Sequence, residues 1–197
     1  MARLPDTRKE DTHERIVAVA ARSLRRNGYA GVGVADVMRE AGLTHGGFYA
    51  HFGSRDALLV EALERAGRDS SAYVAAAAQQ RRERGASALR ALVETYLADA
   101  HLGALEQGCP VAALCSDMPR QTGEVREAST ARLKALITQV RAALPAAMRG
   151  QALAVTATLV GALQVARALG DNADGRAALA AARKSLLLAH DTPAAQP

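Results

Sequence analysis

The residues most suited to chemistry in this sequence lie between positions 44 and 51. Thr44 favours the N-cap of a helix, and the helix predicted after it begins with N–H groups that can bind a phosphate. His45 and Tyr49 are four residues apart, so a helix places both on one side. Gly46 and Gly47 cost a short helix about 1 kcal/mol each relative to alanine, which favours a role in close approach. This pattern predicts contact with a nucleic acid, with His45 at a base edge and Tyr49 at a phosphate or sugar.

Two short helices joined by a tight turn are predicted to position this segment. Apolar residues recur at helical spacing over residues 34–41, and Gly42 follows where a left-handed residue commonly ends a helix. A second short helix is predicted over residues 45–51. Ser54 then caps a third, long helix, with Asp56 in its first turn. Helix, glycine-bearing turn and helix form the sequence pattern of a helix-turn-helix.

Aromatic residues are concentrated around this pattern. Both phenylalanines and two of the four tyrosines lie between residues 29 and 52. Phe48 and Phe52 form a row beside His45 and Tyr49, and we expect this row to pack inward against the first two helices. The alternative for Tyr49 is a place in the same core, and the alternative for His45 is an ordinary solvated residue.

Composition argues against a secreted protein and against a membrane-spanning protein. The chain has 197 residues, 49% of them hydrophobic, a net charge of +5 and only two cysteines. A mild basic excess permits nucleic-acid binding without requiring it. Cysteine usage, the lack of a signal-like N-terminus and the lack of an uninterrupted apolar run near 18 residues predict a soluble, reduced, cytoplasmic protein with no membrane segment. The most apolar stretch, residues 152–166, is interpreted as a buried or interface helix.

The remainder of the chain predicts an all-α fold. No sustained alternation typical of strands is present. About nine helices are expected, in two domains over residues 1–55 and 56–189, with a frayed tail over residues 190–197. The first nine residues are interpreted as a loose basic arm. The other predicted helices cover residues 10–27, 54–84, 86–105, a short segment opened by Pro110, 124–144, 147–169 and 174–189.

Two runs of residues carry a family resemblance. GYAGVGVADVM begins at Gly28 and AGLTHGGFYAHFGSRDALL begins at Ala41. Together they resemble the DNA-binding domain of the TetR family of bacterial transcriptional regulators, with a match over roughly residues 10–60. The resemblance implies a three-helix DNA-binding domain and a helical domain that binds a small ligand and dimerises. It also implies a phosphate contact for Arg55, for which the alternative is an ordinary surface charge, and either a phosphate contact or a capping role for His51.

The function that follows from the resemblance is a ligand-responsive dimeric repressor. Two copies of the segment around residues 44–51 would enter successive major grooves of a pseudo-palindromic operator, and a small molecule would release them. One departure from the family pattern is Gly33, which stands where a threonine or serine usually caps the first helix of the motif and touches a phosphate.

The second domain is predicted to supply the ligand site and the dimer interface. Few aromatics are available there, so we expect an aliphatic pocket with a few polar groups. The apolar faces over residues 153–169 and 179–188 suit a four-helix, two-fold interface. The candidate ligand contacts, each of which is alternatively an ordinary core or surface residue, are Tyr96, His101, Met118, Thr156 and Gln164.

Cys109 offers an alternative mode of regulation. If Pro110 opens a helix, Cys109 occupies its N-cap, where the helix dipole lowers the pKa of a thiol and favours reaction with an electrophile or oxidant. The alternative is that Cys109 and Cys115 are small buried hydrophobic residues. No cofactor and no metal are expected, because the cysteines and histidines lack ligand spacing. An enzyme or a ligand carrier that does not bind DNA is the rival class, but no nucleophile–base pair or phosphate-binding glycine loop is present.

Overall fold

Helices form all the regular structure in the part of the chain that the structure describes. The computed structural model describes residues 5–191, and within that range it contains nine α helices, three short 3-10 helices and no strand. The prediction of an all-α fold is confirmed. The α helices are α1 (Pro5–Asn27), α2 (Val34–Glu40), α3 (Arg55–Glu83), α4 (Ala88–Tyr96), α5 (Asp99–Gly103), α6 (Pro110–Leu114), α7 (Gly123–Ala143), α8 (Ala152–Leu169) and α9 (Ala173–His190).

The 3-10 helices occupy His45–Ala50, Met118–Arg120 and Ala146–Gln151. The first of these is the predicted second helix of the motif, one residue shorter than expected and of the tighter 3-10 form. A pair of adjacent glycines explains this difference, because Gly46 and Gly47 add no side-chain contacts that would favour an α-helical turn.

Both ends of the chain differ from the sequence expectation. α1 begins at Pro5 rather than at residue 10, since proline is well tolerated in the first turn of a helix. The predicted basic arm is therefore helical from Pro5, and its first four residues lie outside the described range. At the other end, His190 still belongs to α9, and Asp191 accepts a hydrogen bond from Ser87 and forms an ion pair with Arg90. Residues 192–197 of the predicted tail also lie outside the described range.

The predicted helix over residues 86–105 is divided into α4 and α5. Leu97 leaves the helical conformation, with φ −98° and ψ 23°. The guanidinium of Arg183, in α9, donates to the carbonyl oxygen that this break exposes on Leu97. The break is thus stabilised by a contact 86 residues distant in sequence, which no local pattern predicts.

The chain divides into two compact units. Unit 1 contains the residues up to Asp69 together with Glu106–Arg132, and unit 2 contains Ser70–Leu105 and the residues from Leu133 onward. α3 and α7 each continue from one unit into the other. The boundary expected after residue 55 falls inside unit 1, at the first residue of α3, and the domain limits stay a prediction.

The core of unit 1 is formed by one face of each of its helices. It includes side chains that are almost fully buried on α1, α2, the 3-10 helix at His45–Ala50, α3 and α6: Ile16, Leu24, Met38, Phe48, Leu58, Leu59 and Leu114. The predicted inward row is confirmed, because Phe48 and Phe52 are 1% and 3% exposed. Burying each such ring contributes roughly 2 to 3 kcal/mol to folding.

Unit 2 is centred on the packing of α8 against α9. Gly175 allows the close approach at its start, since a Cβ there would lie 2.1 Å from the carbonyl oxygen of Gly170. Asn172 caps α9 by accepting from the N–H groups of Asp174 and Gly175. The segment Ala146–Leu169, which includes α8, is long and apolar enough to cross a membrane by length and composition. The sequence analysis interpreted the most apolar part of this segment, residues 152–166, as a buried or interface helix. A core helix passes the same test of length and composition, and one face of α8 is buried within unit 2.

Candidate nucleic-acid interface

The turn after α2 has the form that its glycine predicts. Gly42 has φ +71°, and its N–H donates to the carbonyl oxygen of Arg39 at 3.0 Å. The N–H of Leu43 donates to the carbonyl oxygen of Met38 at 2.9 Å, which closes the helix end in the manner of a Schellman motif. This turn fixes the direction in which the chain enters the 3-10 helix that carries His45 and Tyr49.

Thr44 precedes that helix in an extended conformation, but its side chain makes no capping hydrogen bond. The carbonyl oxygen of Thr44 accepts the first helical bond, from the N–H of Gly47 at 3.1 Å. The predicted side-chain cap is therefore wrong for Thr44, whose exposed hydroxyl is available to an external partner. Ser54 does cap as predicted, because its hydroxyl oxygen accepts from the N–H of Ala57 at 2.9 Å.

The two glycines of the 3-10 helix are not required by packing within unit 1. Neither has a positive φ. A Cβ at Gly46 would meet nothing within 4 Å, and one at Gly47 would make only ordinary contact with Met38, at 3.6 Å. Alanine fits both positions in this structure, so packing within unit 1 does not explain the two glycines.

Neighbouring residues of the same helix point in opposite directions. Phe48 is buried, whereas Tyr49 is 72% exposed, and their rings meet edge to face with centroids 5.2 Å apart. His45 is also exposed. The core alternative for Tyr49 is therefore excluded, and His45 and Tyr49 form an outward surface on a helix that Phe48 holds in place.

Arg55 is used inside unit 1. Its Nε donates to the carbonyl oxygen of Val32 at 2.9 Å, and its Nη2 donates to the carbonyl oxygen of Tyr29. Both carbonyl groups belong to the loop between α1 and α2. The structure thus gives the guanidinium an internal partner that the sequence did not predict, and a DNA contact by Arg55 stays a prediction.

His51 ends the 3-10 helix, where its backbone N–H donates to the carbonyl oxygen of Phe48 at 2.9 Å. Its Nδ1 is buried without a hydrogen-bond partner. Burial, with help from nearby His13 and Lys9, lowers the pKa of His51 below its ordinary value. This shift favours the neutral form of His51, which weakens the case for a charged phosphate contact at this position.

His13, on α1, contacts Glu61 of α3 and the ring of Phe52, the residue after His51. Its Nε2 lies 2.6 Å from a carboxylate oxygen of Glu61, and its ring stacks on Phe52 at a centroid distance of 4.5 Å. A surface depression of about 360 Å³ lies beside this group, and its lining includes Lys9, Glu14 and His51. These contacts attach the C-terminal end of the 3-10 helix at His45–Ala50 to α1 and α3.

Gly33 caps α2 with backbone alone, as the sequence indicates. It has φ −84° and ψ 131° and offers no side-chain hydrogen bond. The phosphate contact that a hydroxyl would make at this position is absent from this chain.

Family sequence models match most of the chain. The family described as "Bacterial regulatory proteins, tetR family" matches residues 16–62, which include the whole helix-turn-helix. The family described as "Tetracyclin repressor-like, C-terminal domain" matches residues 85–182. This chain belongs to the TetR family. The resemblance seen in the sequence is confirmed.

Curated relatives of this TetR-family chain are described as HTH-type transcriptional regulators. The HTH-type transcriptional regulators MT0206 and Rv0196, from two strains of Mycobacterium tuberculosis, are each 33% identical to it over 102 residues. The match covers 51% of this chain and 50% of each relative, so the chain spans about half the length of the curated relatives it matches.

Solved structures extend the similarity of fold over nearly the whole chain. A TetR transcriptional regulator from Chloroflexus aurantiacus is 21% identical, with a TM-score of 0.73 over 92% of this chain and 95% of that one. A TetR-family regulator from Agrobacterium tumefaciens is 21% identical, with a TM-score of 0.74 over 92% of this chain and 98% of that one. The reduced form of Escherichia coli NemR is 19% identical, with a TM-score of 0.68 over 88% of this chain and 96% of that one. At these identities the likeness establishes the fold.

The candidate ligand residues of this TetR-family chain are divided between the two units. Tyr96, His101, Thr156 and Gln164 lie in unit 2, whereas Cys109 and Met118 lie in unit 1. Tyr96 and His101 are in contact: Nδ1 of His101 donates to the carbonyl oxygen of Tyr96 at 2.6 Å, and the centroids of their rings lie 5.2 Å apart. Desolvation lowers the pKa of His101 to about 4, so this buried imidazole is neutral at physiological pH.

The other candidates have local structural roles. The Thr156 hydroxyl donates to the carbonyl oxygen of Ala152 within α8 at 2.7 Å, and Met118 is 6% exposed. Gln164 is half-buried on the same helix as Thr156. Ligand binding by these residues stays a prediction.

Unit 2 also contains an apolar groove of about 310 Å³ that the sequence did not indicate. It lies where α3, α4 and α7 meet. Its walls are mostly aliphatic, with amide groups from Gln79 and Gln139 and the guanidinium of Arg82 at its polar positions. This is the kind of lining predicted for the effector pocket, supplied by different residues.

Cys109 occupies the N-cap of α6, as predicted, but α6 has only five residues and Cys109 is 4% exposed. A thiol reacts with electrophiles only where they can reach it. The structure therefore favours the alternative in which Cys109 is a buried hydrophobic residue. Cys115, half-buried in the same unit, makes no disulfide with it.

Proposed function

We propose that this chain is a dimeric transcriptional regulator that binds operator DNA through the surface formed by Thr44, His45 and Tyr49. The observation that carries the proposal is the opposite burial of Phe48 and Tyr49, because it fixes a helix firmly and leaves a tyrosine 72% exposed on its outer side. Exposed hydroxyl and imidazole groups on a rigid helix can donate to phosphates and base edges. Gly46 and Gly47 have no side chains, so the backbone of the helix can approach the duplex closely.

Dimerisation would use the exposed faces of α8 and α9. Large apolar side chains that are about half or more exposed are found on these helices: Leu153, Val165, Leu169 and Leu188. Gly161 lies on the same side of α8, where a Cβ would meet nothing within 4 Å. Such a face of small and aliphatic residues suits pairing with a second copy about a two-fold axis. A dimer would place two recognition segments on the two half-sites of a palindromic operator.

The effector would be a small molecule with a largely aliphatic body. The groove between α3, α4 and α7 supports this choice, since about 310 Å³ of mainly aliphatic lining with two glutamine amides can hold such a ligand. Release from DNA requires only that the ligand bind one of two conformations better, by a few kcal/mol at most. Repression in the cytoplasm, relieved by the effector, is the regulatory mode that we propose.

Selection of duplexes from a random-sequence pool tests the proposal and identifies the operator sequence in the same experiment. We expect the purified protein to enrich an inverted repeat whose half-sites are separated by about one helical turn or a multiple of it. Fluorescence anisotropy on the enriched duplex should then show binding that weakens as salt rises. A protein that enriches no sequence would not be a DNA-binding regulator.

A further inference from the structure

Tyr29 makes a buried hydrogen bond with Ser129, one hundred residues further along the chain. The phenolic oxygen lies 2.6 Å from Oγ of Ser129, and the two residues are 2% and 0% exposed. Oγ of Ser129 also donates to the carbonyl oxygen of Val125 at 2.6 Å. Because a serine hydroxyl has a single proton, Tyr29 must be the donor in its bond to Ser129. Two consecutive hydrogen bonds therefore run from the Tyr29 hydroxyl through Ser129 to the backbone of α7.

The backbone of the same tyrosine is held by α3. Arg55, the first residue of α3, donates to the carbonyl oxygens of both Tyr29 and Val32. Tyr29 and Val32 belong to the loop that joins α1 to α2. One residue of this loop is thus fixed through its side chain by α7 and through its carbonyl group by α3.

The loop in turn determines where α2 begins. Its last residue, Gly33, accepts the first helical hydrogen bond of α2, from the N–H of Val37 at 3.0 Å. α2 packs against the 3-10 helix that carries Tyr49. A change in the loop would therefore displace both helices of the motif together.

We propose that Tyr29 is a positioning residue for operator binding, and that its bond to Ser129 makes the position of the helix-turn-helix depend on α7. This inference rests on the proposed function and adds the residues through which that function is regulated. α7 is one continuous helix from Gly123 to Ala143, so a shift of its C-terminal turns reaches Ser129. A buried hydroxyl pair is either bonded or unsatisfied, which gives the loop two distinct states and not a continuous range.

The test uses two variants that each remove one oxygen from the pair. Tyr29→Phe deletes only the phenolic hydroxyl. Ser129→Ala deletes the acceptor and also improves helix propensity, so it does not weaken α7 itself. Thr130→Val is the matched control, because Thr130 is the next residue of α7 and makes the same bond to the carbonyl oxygen four residues earlier, at 3.0 Å, without reaching Tyr29.

Two readouts are measured on the full-length protein. The first is affinity for the duplex that the wild-type protein selects from a random pool. The second, which needs no DNA, is the rate of amide hydrogen exchange in the peptide covering residues 29–37. We expect Tyr29→Phe and Ser129→Ala each to weaken binding about tenfold, the usual consequence of losing one buried hydrogen bond. We expect both to accelerate exchange in that peptide, and the double variant to be no worse than either single one.

The possible outcomes separate this inference from the proposed function. A folded Tyr29→Phe protein with wild-type affinity and wild-type exchange would overturn the positioning role. Losses that multiply in the double variant, or an equal loss in Thr130→Val, would show that the two hydroxyls do not act through one bond. A wild-type protein that selects no duplex would overturn the proposed function, while unchanged exchange rates would still reject the coupling by themselves.

Discussion

The ring of Phe48 is almost completely buried and the ring of the adjacent Tyr49 is 72% exposed, with their centroids 5.2 Å apart. This relationship places a packing residue directly beside the residue that we propose to contact DNA. The first ring holds the 3-10 helix on the core of unit 1, and the second is available to DNA.

Replacing Phe48 should reduce stability strongly. Phe48→Ala removes a ring that is 1% exposed and stacks on Phe52 at 5.4 Å, so the free energy of unfolding should fall by about 3 to 5 kcal/mol. Urea denaturation measures the change. Phe48→Leu, which refills most of the space, should lose much less, and equal losses in the two variants would contradict the packing role.

Arg55→Lys distinguishes an internal role from a phosphate contact. Lysine keeps the positive charge but cannot donate to the carbonyl oxygens of Tyr29 and Val32 from one rigid group. We expect a loss of about 1 kcal/mol in unfolding free energy, together with weaker operator binding. Arg176→Lys is the control, since Arg176 pairs with Asp171 at an exposed position in α9. Unchanged stability and binding in Arg55→Lys would instead favour a simple charge contact.

Stability should depend on pH through His101. Burial lowers its pKa from 6.5 to about 4 in the folded protein. Between pH 7 and pH 4 the unfolded chain therefore takes up a proton that the folded protein does not, and stability falls as the pH falls. The loss attributable to this residue is on the order of 3 kcal/mol.

Denaturation at pH 7 and at pH 4.5 compares the wild-type protein with His101→Phe. The variant should lose less stability on acidification, because it lacks the group that titrates. His51, whose pKa is also lowered, contributes equally to both proteins and cancels. The same pH dependence in both would mean that His101 is not the group responsible.

The dimer interface is tested by placing a charge on the exposed face of α8. Val165 is 55% exposed in the single chain, and Val165→Asp would bury an unpaired carboxylate in the proposed interface. Sedimentation should show a monomer. Leu105→Asp changes a similarly exposed residue, 47%, outside α8 and α9 and should leave the dimer intact. A dimeric Val165→Asp protein would place the interface elsewhere.

Local sequence patterns account for the parts of the site that are built from neighbouring residues. Gly42 and Ser54 end and begin helices as predicted, because turn and cap preferences act over a few residues. The inward row of Phe48 and Phe52 follows from helical spacing.

Contacts between distant segments account for what the sequence reading missed. No periodicity pairs Tyr29 with Ser129, and no local signal assigns residues 106–132 to the same unit as the helix-turn-helix. The internal role of Arg55 was missed for a different reason. Its position in the motif indicates a DNA contact, while its actual acceptors are backbone carbonyl groups that are visible only after folding.

Binding of DNA by the exposed side chain of Tyr49 is best tested by comparing two exposed tyrosines. Tyr49→Ala and Tyr73→Ala remove side chains that are 72% and 58% exposed, so both proteins should keep the thermal stability and the dimer of the wild type. Anisotropy on the selected duplex should show at least a tenfold loss for Tyr49→Ala, on the order expected for one lost contact, and no loss for Tyr73→Ala. Equal affinities for the two variants would contradict a DNA contact by Tyr49.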